Sequence, residues 1–356
     1  MGQKAGEGST VPPPPKARNV VIMIGDGMGL SQISAAMHQG RRSLALEEMP
    51  VTGLMSVHSA NEQVTDSGAG ATAFACGVKT NNFMVGMTPD SLPCTTLFEL
   101  AKARGLATGL VVTSTLVHAT PAAFFAHQSL RGYYEPIAAD LVESGIDFLI
   151  GGGQRYFNDR QSDGRNLTYE LREKGYEVMD YTQLPLTEVE VANYDKMVYF
   201  TSKEDPIPEW KGRAYLPFAA ALALDHLQIH SREGFMLLVE GSQIDWAGHA
   251  NEAEYLMAEM LDFDATIDKV LRYARRRGDT LVLVLADHET GGVAVQPGSA
   301  EGEVLLAFTS GEHTATMIPV FAYGPGAELF SGMYDNTDIN YKIRQALGWN
   351  FVAENK

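Results

Sequence analysis

Ser67 stands in the stretch Val64-Thr65-Asp66-Ser67-Gly68-Ala69-Gly70-Ala71-Thr72-Ala73, a serine leading a run of small residues that reads as the first turn of a helix. Asp66 or Ser67 can cap that helix, because its first backbone N–H groups have no partner inside it. The aligned peptide dipoles add partial positive charge at the same end, which suits a phosphate and favours an ionised serine oxygen. A purely structural helix would show the same pattern, so the serine gains meaning only from residues elsewhere. Asp26 follows an apolar run at 19–24, and His118 and Thr120 come soon after a run at 107–112. Glu240, Asp245 and His249 follow 235–239, Asp287, His288 and Glu289 follow 280–285, and His313 precedes 318–323.

The chemistry of these groups divides by donor type. Imidazole with carboxylate suits zinc, whereas an oxygen-only set suits magnesium. Asp245 and His249 are four apart, which puts both on one face if the segment is helical. Asp287 and His288 are adjacent and would point to opposite sides of a continuing strand. At a strand end the backbone turns and both can reach inward, with Gly291 and Gly292 supplying the freedom.

These residues need a scaffold that brings them together. The runs at 19–24, 107–112, 147–150, 235–239, 280–285 and 318–323 are short and continuously apolar, as suits strands buried on both faces of a parallel sheet. Helical patterns lie between them, clearest at 251–276, where Leu256, Met260, Phe263 and Ile267 recur at helical spacing. The alternation predicts an α/β fold, a three-layer α/β/α sandwich around a central, mostly parallel sheet. In such sheets ligands bind at the carboxyl ends of the strands, where these loops converge. The expected organisation is a Pro/Gly-rich disordered leader at 1–18 and a single domain at 19–356. Within that domain, 151–212 reads as a peripheral excursion and 291–312 as a short loop.

The formal net charge of −17 argues against a nucleic-acid-binding surface. It also opposes an anionic substrate, an obstacle that bound cations would remove locally. No run is long and apolar enough for a membrane span. Cys76 reads as a small buried hydrophobe, and whether it is bridged to Cys94 is left open by the sequence. Gly25-Asp26-Gly27-Met28-Gly29 lacks the spacing of a dinucleotide-binding turn, and Gly77-Val78-Lys79-Thr80 lacks the frame of a phosphate loop.

Seven motifs in order resemble the bacterial alkaline phosphatases, whose superfamily includes phosphodiesterases, sulfatases and cofactor-independent phosphoglycerate mutases. They begin with Ile24-Gly25-Asp26-Gly27-Met28-Gly29, Val64-Thr65-Asp66-Ser67, Gly77-Val78-Lys79-Thr80 and His118-Ala119-Thr120-Pro121-Ala122. They continue with Glu240-Gly241-Ser242-Gln243-Ile244-Asp245-Trp246-Ala247-Gly248-His249, Ala286-Asp287-His288-Glu289-Thr290-Gly291-Gly292 and His313-Thr314-Ala315. The resemblance implies a phosphomonoester hydrolase that releases inorganic phosphate through a phosphoserine on Ser67. It implies one zinc on Asp245, His249 and His313, and a second on Asp26, Asp287, His288 and the Ser67 oxygen. A magnesium would lie on Asp26, Thr120 and Glu240, and Arg131 would grip the phosphate with its planar fork. The same resemblance implies a homodimer in a periplasmic or secreted setting.

Two positions depart from part of the bacterial family: His118 stands where some members carry aspartate, and Trp246 where some carry lysine. Both face the substrate side of the implied site, where the change would alter magnesium preference and loosen product phosphate. The short 291–312 loop implies a reduced rim. A phosphodiesterase of the same superfamily would usually have threonine in place of Ser67 and lack Glu240. A non-catalytic phosphate-binding protein would have no need of the nucleophile, Arg131 and every metal ligand together.

Overall fold

The apolar run at 19–24 forms β1 (Asn19–Gly25), all seven residues of which are buried. The computed structural model describes residues 16–39, 43–300 and 302–349. The following strands are β2 (Val51–Ser56), β3 (Ala107–Thr115), β4 (Phe148–Gly152), β5 (Glu177–Asp180), β6 (Met197–Phe200), β7 (Phe235–Gly241) and β8 (Thr280–Leu285). Then come β9 (Glu289–Thr290), β10 (Val293–Val295), β11 (Leu306–Phe308), β12 (His313–Thr314), β13 (Ile318–Tyr323) and β14 (Gly332–Asp335). Ten of them form one sheet in the order β14-β2-β13-β8-β1-β7-β3-β4-β6-β5. β1 lies between β7 and β8, parallel to both, with Val20 opposite Met236 on one side and Leu281 on the other.

Helices flank this sheet, as the α/β/α reading requires. The long helix Ala253–Arg277 turns Leu256, Met260, Phe263 and Ile267 inward, and all four are buried. It packs on the helix Leu216–His230 and on β8. The helix Ser67–Cys76 packs against Ala119–Ala122 and against Asp338–Ala346. Strands buried on both faces must be apolar at every position, which is why they read as continuous runs.

Several expectations are corrected. β13 runs antiparallel to its neighbours β8 and β2 rather than parallel. That reversal has a consequence for chemistry, because the start of β13 lies at the edge where β8 and β1 end. His313, just ahead of β13, thereby reaches the loops that follow those strands. The 151–212 segment contributes more than an excursion, since β5 and β6 extend the sheet beyond β4 in parallel register. Strands of four residues each are too short to show periodicity there. The 291–312 loop carries strand pairing, β10 with β11, and β12 pairs back with β9.

The leader expected at 1–18 lies outside the described residues up to residue 15. Ala17 and Arg18 are already part of the fold, their N–H groups donating to Ala346 O and Asp279 O, with Ala17 buried. Cys76 is not a free buried hydrophobe: it is half-buried and bridged to Cys94. Spacing alone cannot reveal such a bridge, which depends on the loop after the helix returning to its end.

Candidate active site

Ser67 occupies the first position of the helix Ser67–Cys76, and Asp66 is the cap, accepting from Ala69 N at 2.9 Å. The small residues of this helix serve close approach. A Cβ on Gly70 would sit 3.0 Å from Asp287 Cβ and 3.1 Å from its carbonyl oxygen. The helix therefore lies directly against the loop after β8. Ser67 Oγ is 3.2 Å from His288 Nε2 and 3.4 Å from Arg131 Nη1. Arg131 also donates to the second Asp66 oxygen at 3.0 Å, so one aspartate caps the helix and aims the arginine.

β1, β7 and β8 deliver the acids. Asp26, Glu240 and Asp287 are wholly buried at their ends, and Asp245 nearly so. His288 Nε2 lies 3.4 Å from Asp26 Oδ1 and 3.3 Å from Asp287 Oδ2. The helix Gln243–Ala250 brings Asp245 and His249 to one face, 3.4 Å apart. His313 Nε2 is 3.4 Å from Asp245 Oδ1 and 3.1 Å from His249 Nε2. Thr120 Oγ1 is 3.4 Å from Asp26 Oδ2. His118 caps the short helix Ala119–Ala122, its Nε2 3.5 Å from Arg131 Nη2 and its ring edge-on to Trp246.

The three imidazoles of the Asp245 neighbourhood share one feature. Each Nδ1 is already engaged: His249 with Gly311 O at 2.7 Å, His313 with Thr65 O at 2.9 Å, and His288 with Thr290 Oγ1 at 3.2 Å. Every Nε2 thus faces the carboxylates, as an N–H donor to them when protonated and with its lone pair free for a cation when not, the arrangement of metal-binding histidines. The sequence-predicted ligands are therefore gathered in one place. Thr290, Gln32 and Glu289 were missed as supports. Thr290 Oγ1 donates to Asp245 Oδ1 at 2.5 Å, and Gln32 Nε2 donates to Glu289 Oε1 and Thr290 O, both at 2.8 Å. Thr290 and Glu289 lie inside a quoted motif, but Gln32 gives no signal in one sequence.

The electrostatics are those of an acid cluster that needs cations. Burial, reinforced by Asp287 and Asp245, pushes Glu240 up to about 8. Burial and the same two neighbours hold Asp26 well above the carboxylate range, and burial with Asp245 lifts Asp287 to about 6. Burial would raise Asp245 too, but hydrogen bonds from His249 and His313 hold it well below. The bond to Asp245 raises His249 to about 9. Burial, then Arg131, lowers His118 to about 3, so it is neutral beside the arginine.

Fit to metal ions is tested by the unpartnered atoms. Asp26 Oδ1, both Glu240 oxygens, Asp287 Oδ2 and His118 Nδ1 are buried without a hydrogen-bond partner. Such lone pairs are costly unless a cation meets them. Three groups bring their donor atoms within 4.8 Å of one another: Asp245 with His288 and His313, Asp26 with Asp287 and His288, and Asp26 with His118 and Glu240. The donors fit: one imidazole-rich set beside two in which carboxylate oxygens dominate.

The alkaline phosphatase family model matches residues 17–307 and 303–349. The chain belongs to the alkaline phosphatase family. Alkaline phosphatase from the Antarctic bacterium TAB5 superposes with a TM-score of 0.90 at 40% identity, covering 95% of this chain and all of that one. Alkaline phosphatase 3 of Bacillus subtilis is 30% identical over 95% of this chain and 91% of its own length. The Thermus thermophilus enzyme superposes at 0.86 with 26% identity, covering 95% of this chain and 92% of that one. A variant of the TAB5 enzyme with a histidine changed to aspartate is described with magnesium in its M3 site. This alkaline phosphatase family member is thus a metal-dependent hydrolase of phosphomonoesters, and among the described residues no helix is long and apolar enough to cross a membrane.

Proposed function

We propose that this phosphatase works through Ser67 as nucleophile, with two zinc ions and one magnesium held at the acid cluster. The observation that carries the reading is the meeting of Ser67 Oγ, Arg131 Nη1 and His288 Nε2 within 3.4 Å at a helix N-terminus. One zinc would be held by Asp245, His249 and His313, and the other by Asp26, Asp287, His288 and Ser67. Magnesium would lie on Asp26, Thr120 and Glu240, with His118 beside it. When bound, such ions lower the pKa of oxygen nucleophiles and balance charge on both apical oxygens of an in-line displacement.

The chain's own residues supply the rest. Arg131 and the free N–H groups of the helix start hold the equatorial phosphate oxygens and spread the charge that builds on them. Ser67 Oγ, its proton lost to solvent, attacks phosphorus, the bond to the alcohol oxygen breaks, and the leaving oxygen takes a proton from water to depart as the alcohol. Water then attacks the phosphoserine from the vacated side, releasing inorganic phosphate and restoring Ser67. Asp66 fixes the arginine, and neutral His118 adds no competing charge. Trp246 places an indole where a lysine would contact phosphate, which favours rapid product release.

The disulfide between Cys76 and Cys94 supports a periplasmic or secreted setting, because such bridges persist in oxidising compartments. A homodimer is the assembly we infer from the family. The test is hydrolysis of 4-nitrophenyl phosphate beside bis(4-nitrophenyl) phosphate, at alkaline pH with zinc and magnesium. Monoester turnover should dominate and fall by at least about a thousandfold in Ser67→Ala, the scale on which a lost nucleophile is felt. A diester preference, or a fully active Ser67→Ala protein, overturns the reading.

A further inference from the structure

Phe83 has no part in the roles assigned above, yet the turn that carries it is fastened beside groups that have one. Arg131 N donates to Phe83 O at 2.6 Å. On the preceding residue, Asn82 Oδ1 accepts from Asp66 N, and Asn82 Nδ2 donates to Val64 O, both at 3.0 Å. On the following one, Met84 O lies 2.8 Å from where a Cβ on Gly68 would stand. The turn is therefore tied to the residues on either side of Ser67 and to the phosphate-gripping arginine. At its tip Phe83 has φ +74°, a left-handed backbone that a bulky residue rarely adopts and glycine adopts freely. Its side chain is 57% exposed, and Val64, Leu130 and Tyr133, on the segments bonded to this turn, are exposed too.

An aromatic residue held where glycine would be easier points to a use for its side chain. The phosphoryl group cannot be that use, because it is bound by charge and by N–H donors. What exposed apolar side chains on the segments that adjoin Ser67 can meet is the alcohol portion of the ester. A phenyl face gains most from another flat ring and little from a small or charged aliphatic group. We propose that Phe83 is a specificity-determining residue, a platform on which the ring of an aryl phosphate stacks while Ser67 attacks its phosphorus. The substrate class it favours is monoesters of aromatic alcohols. This rests on the reading of Ser67 and Arg131 given above.

The experiment is inhibition of monoester hydrolysis, and direct calorimetric binding, by phenylphosphonate against methylphosphonate. Parent, Phe83→Gly and Phe83→Tyr are compared as metal-loaded proteins. Glycine accepts the left-handed turn, so the thermal midpoint of Phe83→Gly should not fall. The aryl-over-methyl affinity ratio should drop about three- to tenfold in Phe83→Gly, the span an aromatic pair contributes, and be kept in Phe83→Tyr. An unchanged ratio overturns the proposal. So does a lost preference that accompanies a smaller sedimentation coefficient, which would assign Phe83 to a subunit contact. Should the parent hydrolyse no monoester, the catalytic reading fails, while calorimetry still reports on Phe83.

Discussion

Thr290 shows how one hydroxyl organises two ligand groups. Its Oγ1 stands 3.2 Å from His288 Nδ1 and donates to Asp245 Oδ1, so the ring N–H points at the threonine and Nε2 faces Ser67. The same hydroxyl orients the carboxylate that His249 and His313 face. Removing it frees both at once. Thr290→Val should weaken zinc binding about ten- to a hundredfold, the usual cost of losing such a support, whereas Thr290→Ser stays near the parent. Competition with a chromophoric chelator measures this without recourse to turnover. Equal zinc affinity in the valine protein would leave Thr290 as packing only. Asp66 has a similar double duty, capping the nucleophile's helix and holding Arg131.

Elements owe their positions to polar ties as well as apolar packing. Gln243, at the start of the ligand-bearing helix, donates to Thr113 O and Pro206 O and accepts from Tyr255 OH at 2.7 Å. Helix Ala253–Arg277 is joined to the segment before Leu216 by a buried cluster in which Arg213 meets Glu259 and Asp262. Burial outweighs the arginine there, lifting Glu259 to about 7 and Asp262 to about 6. Both folded values lie above those of the unfolded chain. Their stabilising contribution is therefore complete below about pH 4 and is lost as pH rises through the folded values. Between pH ~5 and ~8 the parent's thermal midpoint should fall relative to Glu259→Gln, which cannot titrate. Parallel profiles would refute the raised carboxyl. The Cys76–Cys94 bridge, 18 residues apart, fastens the far end of the Ser67 helix. Cys94→Ser should cost about 3 kcal/mol in denaturant unfolding, a difference that reducing agent abolishes.

The whole molecule carries a net charge of −17 and concentrates buried carboxylates from three strand ends and one helix at one sheet edge. Asp26, Glu240 and Asp287 are buried there beside other carboxylates, and it is burial first, then that proximity, that raises their proton affinities. Stripping metals with a chelator should lower the thermal midpoint by several degrees, through loss of about 3–4 kcal/mol of binding linkage. Zinc with magnesium should restore it, and calorimetry before and after chelation reads the difference. A midpoint indifferent to chelation would count against metal ions at the cluster.

The sequence by itself determined the central strands and the ligand-bearing loops. Strands buried on both faces leave continuous apolar runs, and chemistry gathers just past them, so β1, β3, β4, β7, β8 and β13 were legible with Asp26, Glu240, Asp245 and Asp287 behind them. The order of seven motifs carried the family. What local pattern cannot carry was decided by tertiary structure. β5 and β6 are too short for a periodic signal, and the antiparallel sense of β13 depends on where the chain returns, yet that sense, with the pairing of β12 on β9, brings His313 to Asp245. The Cys76–Cys94 bridge, the Asp66–Arg131 pair and the Thr290 link join residues across gaps that no spacing rule spans. Side-chain geometry of this kind exists only once the sheet has closed the distance between loops.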